Sequence, residues 1–180
     1  MITLTNKKEL RKQALKKRNL LAQQGVMKNT SLKIVHKILN SKIFQEAKHI
    51  ALFYPFKNEI DLRNLLRVEN KNFYLPKCND LDMDFIEYKN EENLIENKWG
   101  IMEPQGEKIN PEILDVIYIP ALLANKNLYR IGYGKGFYDR FFKKHHLKAK
   151  KIIVISNNFV IDENFEETFD IQADEILSEI

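Results

Sequence analysis

Five short apolar runs, separated by stretches in which apolar residues recur with helical spacing, constrain the fold of this chain most strongly. The runs lie at residues 49–54, 72–77, 83–88, 115–120 and 151–156. Runs of this length that alternate with helical patterns are typical of an α/β fold, so we predict a mainly parallel sheet flanked by helices. Because ligands of open α/β sheets bind beyond the carboxyl ends of the strands, we expect the functional site there.

The size and composition of the chain predict a single domain over residues 1–180. Its 180 residues, 44% of them hydrophobic and 30% charged, are enough for a sizeable core in a soluble globular protein. The chain has no apolar run long enough to span a membrane. Its N-terminus also lacks the apolar core of a signal peptide. We therefore expect a cytoplasmic protein without a membrane partner.

Cys78 is the only cysteine in the chain. A lone cysteine excludes an internal disulfide and a metal cluster held by cysteines. Two interpretations stay open at this point, a reduced structural thiol and a catalytic nucleophile.

Charge is distributed unevenly, although the net charge is only +4. Residues 1–48 contain twelve Lys or Arg and two Glu, a local charge of +10, whereas residues 161–180 contain eight Asp or Glu and no Lys or Arg. A basic end of this kind indicates binding to nucleic acid or to a small anion, or simply helices with a solvated basic face. We expect the acidic segment to neutralise part of the basic region in space.

Two amphipathic helices are predicted in the basic region, over residues 6–24 and 29–42. In the first, Lys7, Arg11 and Arg18 follow the same spacing as the apolar seam and border it. A cation beside the seam can reach into a cleft while its stem packs, although a snorkelling surface residue fits the pattern equally well. The second helix is predicted to turn four apolar residues inward, Leu32, Val35, Ile38 and Leu39.

The segment from Arg130 to Arg140 contains three glycines that alternate with other residues. Glycines adopt positive φ readily, so successive N–H groups can form a concave nest for an anion. Lys135 adds a charge between two of them, and a helix predicted from Phe137 to His146 would present its N-terminus to the same anion. A carboxylate inside this basic site, Asp139, points to a Mg²⁺ ion bridging it to a phosphate. The pattern alone also fits a plain glycine-rich turn.

Two further residues lie where a ligand of the predicted sheet would bind. Glu59 follows the predicted strand at residues 49–54, on the side where open α/β sheets hold ligands. The competing interpretation places Glu59 and Asp61 in the first turn of a helix over residues 60–68, where they would stabilise its dipole. A lone tryptophan such as Trp99 is usually a core residue. Because it stands next to a glycine in a segment with little helical or strand pattern, a stacking surface for a flat ring is the second interpretation.

The segment from Arg130 to Arg140 closely resembles the signature of the 5-formyltetrahydrofolate cyclo-ligase family. The resemblance extends over nearly the whole chain, through Lys7 and Arg11 in the first helix, Tyr54-Pro-x-x-x-Glu59, the Trp99 loop, and Asp170 with Asp174. It implies the ATP- and Mg²⁺-dependent conversion of 5-formyltetrahydrofolate to 5,10-methenyltetrahydrofolate, with release of ADP and phosphate. In that reaction the formyl oxygen attacks the γ-phosphate to form an iminium phosphate. N10 then adds to the same carbon, and phosphate leaves.

The resemblance also implies roles for the candidate residues. Lys135 and Arg130 are implied as the catalytic cations. Contacts to ATP are implied for ten residues, Lys7, Arg11, Arg130, Gly132, Tyr133, Gly134, Lys135, Gly136, Phe137 and Tyr138. Contacts to the folate are implied for Tyr54, Glu59 and Trp99.

For the metal, the resemblance implies Asp139 and Asp174, with Asp170 as a reserve candidate. The two aspartates belong to different elements, so the prediction requires that they meet beside the glycine-rich segment. The alternative is that Asp174 belongs only to the solvated acidic tail.

The sequence departs from the family pattern in two segments. The family typically has Pro-Gly-x-Ala-Phe-Asp and then Gly before its signature. This chain instead has Pro120-Ala-Leu-Leu-Ala-Asn125, with Leu128 near the usual glycine. Phe169 stands where the family usually has His, and Ser178 where it has Thr. Neither departure touches the glycine-rich segment.

A different class of function also accounts for the basic region, namely a non-catalytic protein that binds RNA or another polyanion. That interpretation does not explain Asp139, because a carboxylate opposes phosphate binding unless a metal intervenes. We therefore expect small-molecule substrates, no nucleic-acid partner, and a monomer.

Overall fold

The computed structural model describes residues 4–180, and within them it contains four α-helices and eleven strands. The helices are α1 (Leu4–Gln23), α2 (Val26–Leu39), α3 (Lys42–Glu46) and α4 (Phe137–Lys144). The strands are β1 (His49–Ala51), β2 (Asn72–Asn79), β3 (Asp82–Tyr88), β4 (Leu94–Glu96), β5 (Met102–Pro104), β6 (Val116–Pro120), β7 (Leu123–Asn125), β8 (Arg130–Ile131), β9 (Lys150–Val154), β10 (Val160–Ile161) and β11 (Glu175–Leu177). None of the described helices is long and apolar enough to cross a membrane.

Six strands form the central sheet, in the order β11-β9-β6-β1-β2-β3. Neighbouring strands are parallel except β2 and β3, which form an antiparallel hairpin at one edge. The predicted α/β fold with a mainly parallel sheet is therefore confirmed. In the parallel register Val116 pairs with Lys150 and Pro120 with Val154, so the carboxyl ends of β6 and β9 lie next to each other. Small sheets of β10-β7-β8 and β4-β5 complete the fold.

The sheet has an apolar layer on each face, because successive side chains of a strand point to opposite sides. In β6, Tyr118 belongs to the layer under α1 and α2, whereas its neighbour Ile117 belongs to the layer under α4. All of these strand residues are buried, which accounts for the continuous apolar runs in the sequence. On the second face, α4 contributes Phe141 and Phe142 to the apolar layer.

The buried stripe of α2 differs from the predicted one. Leu32 and Leu39 are 53% and 38% exposed, so the prediction that they point inward is wrong. The buried residues are Met27, Thr30, Ser31, Ile34, Val35 and Ile38. The stripe is rotated because α2 packs against the 3₁₀ turn Arg63–Arg67 as well as against α1. This packing draws in polar residues too, and the Ser31 hydroxyl accepts a hydrogen bond from the Asp61 N–H.

Candidate active site

A cavity of about 520 Å³ lies beyond the carboxyl ends of β1 and β6. Phe53 and Tyr54, which follow β1, form part of its wall, and Ala121 and Leu122, which follow β6, form another part. The cavity therefore lies beyond the carboxyl ends of the strands, where the sequence predicted a ligand site. Of the fifteen predicted site residues, all but Asp174 line it, namely Lys7, Arg11, Tyr54, Glu59, Trp99, Arg130, Gly132, Tyr133, Gly134, Lys135, Gly136, Phe137, Tyr138 and Asp139.

The glycine loop, residues 132–136, joins β8 to α4 and forms one side of the cavity. Gly134 has φ of 94° and Gly136, the N-cap of α4, has φ of 69°, both in the region that favours glycine. Gly132 serves differently, because a Cβ there would lie 2.9 Å from Nη1 of Arg130. The loop thus leads directly to a helix N-terminus at the cavity, as the sequence predicted.

Arg11 of α1 lies against the glycine loop. Its Nε donates a hydrogen bond to the carbonyl oxygen of Gly132 at 2.9 Å. Its guanidinium carbon is 3.4 Å from the place that a Cβ on Gly134 would occupy. The cation of the first helix is therefore held in direct contact with the loop.

Aromatic rings flank the loop on the side of Trp99. The ring of Trp99 meets Phe137 edge to face at a centroid separation of 5.8 Å. The ammonium of Lys135 lies 5.8 Å from the centroid of the Trp99 ring. Phe56 and Tyr133 form a second edge-to-face pair, with centroids 5.5 Å apart. These pairs place flat apolar surfaces next to a cation, an arrangement suited to a ligand with both a ring system and a negative charge.

Glu59 is mostly buried in the cavity wall and faces back towards the end of β1. Its Oε1 accepts a hydrogen bond from the N–H of Phe56 at 2.8 Å. Burial raises the pKa of Glu59 to about 7, against the opposing effects of the Arg18 charge and of that hydrogen bond. The alternative role in a helix dipole is not realised, because the segment forms only a 3₁₀ turn that begins at Arg63, four residues after Glu59, with Leu62 as its N-cap.

Arg18, which the sequence placed on the cationic stripe of α1 without assigning it a role, lies behind the cavity and contacts two residues that line it. It is only 3% exposed, and its Nη2 donates to the carbonyl oxygen of Ala121 at 2.6 Å. Its Nη1 lies 3.4 Å from the hydroxyl of Tyr133, and its guanidinium stacks 5.6 Å from the centroid of Phe159. Arg18 therefore supplies a buried positive charge that favours the ionised form of Glu59. The spacing that it shares with Lys7 and Arg11 was the signal in the sequence.

Lys7 reaches the cavity at the other end of the same stripe, but two carboxylates already surround its ammonium. The Nζ atom lies 2.9 Å from Glu167 and 2.7 Å from Asp170, and the side chain is 6% exposed. Burial lowers the pKa of Lys7, but the hydrogen bonds to Asp170 and Glu167 outweigh it, so the net shift is upward. These contacts bring the acidic C-terminal segment against the basic first helix, as the charge distribution predicted.

Asp139 lies in the first turn of α4 and lines the cavity. Its Oδ1 accepts a hydrogen bond from the N–H of Ile171 at 3.3 Å and lies 3.7 Å from Nη2 of Arg130. The guanidinium of Arg130 stacks 5.1 Å from the centroid of Tyr138, which fixes its direction. A carboxylate and a guanidinium thus sit side by side next to the glycine loop.

Asp174 lies elsewhere, and the structure corrects the prediction that it shares a metal ion with Asp139. Its carboxylate accepts a hydrogen bond from the N–H of Lys151 at 2.7 Å and pairs with the ammonium of the same residue at 3.6 Å. Lys151 belongs to the amino-terminal end of β9, whereas the cavity lies beyond the carboxyl ends. The two ends of a five-residue strand are roughly 13 Å apart. Asp170, the reserve candidate, is the one that lines the cavity.

Glu103 and Cys78 form a second part of the wall that the sequence did not predict. Glu103 is 5% exposed, and its Oε2 accepts a hydrogen bond from the N–H of Cys78 at 2.7 Å. Burial raises the pKa of the Cys78 thiol to about 12, and the Glu103 charge adds to the effect. A thiol that stays protonated is a poor nucleophile. The interpretation of Cys78 as a structural thiol is therefore the one that the structure supports.

The connection between β7 and β8 turns at Leu128, near the position of the usual glycine. Leu128 has φ of 69°, a conformation that costs a non-glycine residue about 1–2 kcal/mol. The buried Asn125 side chain holds the turn, because its Oδ1 accepts from the N–H groups of Asn127 and Tyr129. Its amide group in turn donates to Glu166 at 2.7 Å. The altered sequence thus still makes a tight hairpin that delivers β8 to the loop.

Comparison with known proteins identifies the family. The family model described as the 5-formyltetrahydrofolate cyclo-ligase family matches residues 3–178. The chain belongs to this family. The prediction of an enzyme of the cyclo-ligase class is therefore confirmed.

Individual members of the cyclo-ligase family match over much of their length. The 5-formyltetrahydrofolate cyclo-ligase of Mycoplasma genitalium is 31% identical, over 97% of this chain and 98% of its own. A probable 5-formyltetrahydrofolate cyclo-ligase of Schizosaccharomyces pombe is 31% identical over 67% of this chain, and the match spans 64% of the relative. The 5,10-methenyltetrahydrofolate synthetase of Aquifex aeolicus has the same fold, with a TM-score of 0.84, 32% identity, and coverage of 96% of this chain and 89% of that one.

Proposed function

We propose that this cyclo-ligase converts 5-formyltetrahydrofolate to 5,10-methenyltetrahydrofolate in a reaction driven by ATP and Mg²⁺, with release of ADP and phosphate. The observation that supports it is one cavity with two kinds of wall. Part of the lining is the glycine loop with its cations, and part is Glu59, Tyr54 and the ring of Trp99, which lies next to Lys135. A phosphate donor and a pterin can therefore occupy the same cavity next to each other.

The glycine loop is the proposed binding site for the phosphates. Lys135 and Arg130, with Arg11 from α1, would neutralise phosphate charge, and the loop N–H groups up to the α4 N-terminus would donate to phosphate oxygens. Lys7 already uses two of its donors on Glu167 and Asp170. An ammonium has three donors, so one remains for a phosphate oxygen.

The wall around Glu59 is the proposed binding site for the folate. A pterin carries amino and ring N–H donors, and the carboxylate of Glu59 can accept two hydrogen bonds from them. Trp99 offers a ring on which a flat ligand stacks, and Tyr54 closes the same wall. No protein nucleophile is needed, because the formyl oxygen itself would attack the γ-phosphate and N10 would then add as phosphate leaves. The residues would act through positioning and charge neutralisation.

The described residues fit a Mg²⁺ ion that arrives with the nucleotide. Among them, no three His, Cys, Asp or Glu side chains cluster closely enough to hold a metal by themselves. Mg²⁺ commonly takes only one or two carboxylates and completes its shell with water and phosphate oxygens. Asp139 at the loop would be that carboxylate, with Asp170 as the second candidate. When bound, the ion would neutralise negative charge on the phosphates.

The test is a spectrophotometric assay of the purified chain with 5-formyltetrahydrofolate, in which the methenyl chromophore is followed with and without ATP. We expect the chromophore to form only when both substrates and Mg²⁺ are present, with one ADP released per product. Product without ADP release would overturn the proposal. An RNA titration at two salt concentrations in parallel tests the alternative of a polyanion-binding protein, and light scattering of the same sample tests the predicted monomer.

A further inference from the structure

A tight turn at residues 167–170, here called the acidic turn, closes the cavity at the end next to Lys7. The N–H of Asp170 donates to the carbonyl oxygen of Glu167 at 3.0 Å, and the N–H of Glu167 donates to the carboxylate of Asp170 at 2.8 Å. Both carboxylates also hold the ammonium of Lys7. The turn is therefore bonded within itself and to α1, so the residue near its tip has a defined direction.

Phe169 stands near the tip of the acidic turn and lines the cavity, yet it is 54% exposed. Among the other exposed large hydrophobic side chains of the described residues, only Tyr133, which is 37% exposed, also lines the cavity. The ammonium of Lys7 lies 5.5 Å from the ring centroid on one side. A phenyl ring has two faces, so the face of Phe169 that Lys7 does not cover can still stack against a flat ligand.

The cations of α1 arrange the cavity in a definite order. Arg18 contacts Tyr133 at the Glu59 end, Arg11 contacts the glycine loop, and Lys7 contacts the acidic turn. A helix rises 1.5 Å per residue, so Lys7 and Arg18 are about 16 Å apart along the axis. The glycine loop thus lies between the Glu59 wall and the acidic turn.

That order decides which flat group lies near Phe169. If the proposed function holds, the phosphate that is transferred lies next to the pterin, and the rest of the nucleotide extends away from it. The base is then at the end of the cavity farthest from Glu59. The geometry points to Phe169 as the stacking surface for the adenine base of ATP, an inference that rests on the proposed function. The usual histidine of the family is also a flat ring, so this chain changes the surface without removing it.

The test compares a ligand with a base and a ligand without one. Calorimetric titrations measure the affinity for an ATP analogue with a methylene bridge between the β- and γ-phosphates, and for inorganic tripolyphosphate. Stacking of a base on an aromatic ring is worth enough that Phe169→Ala should weaken analogue binding roughly tenfold. Tripolyphosphate binding should stay within about twofold, because the cations are intact. Phe169→His and Phe169→Trp should restore most of the analogue affinity.

Ile95→Ala is the matched control, because Ile95 is 59% exposed and lies outside the cavity. It should change neither affinity. Equal losses of both ligands in Phe169→Ala would mean that the residue only holds the acidic turn, and no loss of either would remove it from the site. Both outcomes overturn this inference while leaving the proposed function intact. A wild-type chain that binds neither ligand would overturn the two together.

Discussion

The backbone N–H of Ile171 donates a hydrogen bond to Oδ1 of Asp139 over 3.3 Å, which joins the C-terminal segment to the first turn of α4. This bond orients the one carboxylate of the glycine-rich segment and leaves its second oxygen for another partner. Three residues after Ile171, Asp174 lies at the amino-terminal end of β9, where it contacts Lys151. Only Asp139 of the two predicted metal ligands therefore lines the cavity.

Two matched variants test that division. Asp139→Asn should raise the Mg²⁺ concentration needed for half-maximal activity, because an amide is a weaker ligand than a carboxylate for a hard cation. Asp174→Asn should leave that concentration unchanged and lower the free energy of unfolding by about 1 kcal/mol, through a weakened bond to Lys151. Magnesium titrations of activity and urea unfolding measure the two effects. A shift in Mg²⁺ requirement for Asp174→Asn alone would contradict the assignment.

Replacing Lys135 tests the glycine loop as a phosphate site. Lys135→Ala should lower kcat/KM by at least about 10²-fold, as expected when a preorganised charge directed at a phosphate is removed. Lys98→Ala is the control, because Lys98 also lies over the Trp99 ring, at 4.6 Å, but is outside the cavity. It should change kcat/KM little. Near-normal activity of Lys135→Ala would show that the loop is structural.

Glu59→Gln tests the folate wall. The amide preserves the shape and can still accept the Phe56 N–H, but it cannot accept two hydrogen bonds from the pterin donors. We expect folate affinity to fall roughly 10- to 100-fold, the loss of about 1.5–3 kcal/mol typical of a hydrogen bond to a charged group. Affinity for the ATP analogue should be nearly unchanged. Separate titrations of the two ligands measure this, with Asp61→Asn, which lies outside the cavity, as control.

The stability of the free protein should depend on pH through the same residue. The pKa of Glu59 is raised from 4.5 to about 7 in the folded state, so the folded chain binds the proton more tightly than the unfolded chain. Its contribution to stability is therefore present below pH 4.5 and is lost as the pH rises towards 7 and beyond. The loss is at most roughly 3 kcal/mol at 1.36 kcal/mol per pKa unit. Glu59→Gln should lack this pH dependence, so between pH 5 and 8 its free energy of unfolding in urea should rise relative to that of the wild type. Parallel dependence of the two free energies on pH would contradict the raised pKa.

Leu128 offers a test of strain in the hairpin before the loop. Leu128→Ala removes the leucine side chain beyond Cβ and Leu128→Gly removes Cβ as well, so only the glycine variant adopts a φ of 69° without strain. The glycine variant should therefore be more stable than the alanine variant by about 1 kcal/mol, the reverse of the usual order. Thermal unfolding of the pair measures the difference. An alanine variant of equal or higher stability would show that the turn relaxes.

Local patterns in the sequence were sufficient for the strands and for the glycine loop. The five apolar runs correspond to β1, β2, β3, β6 and β9. In β6 and at the end of β9 consecutive residues are buried, because these strands lie inside the sheet and both of their faces are covered. α4 begins at Phe137 as predicted, since Gly136 takes the positive φ that precedes it. The family resemblance added the prediction that Tyr54, Glu59 and Trp99 contact a folate, which no local pattern in the sequence indicates by itself.

The sequence by itself determined the local elements, such as the strands, α4 and the glycine loop, because these depend on neighbouring residues. Only the tertiary structure decided which residues that are distant in the sequence contact each other. Lys7 pairs with Asp170, which is 163 positions away in the sequence. Asp174, only four residues after Asp170, instead lies at the amino-terminal end of β9 and contacts Lys151. Spacing along a helix specifies which side chains share a face, but the element opposite that face depends on the path of the whole chain. The raised pKa of Glu59 has the same origin, because its burial arises where segments distant in the sequence come together around one cavity.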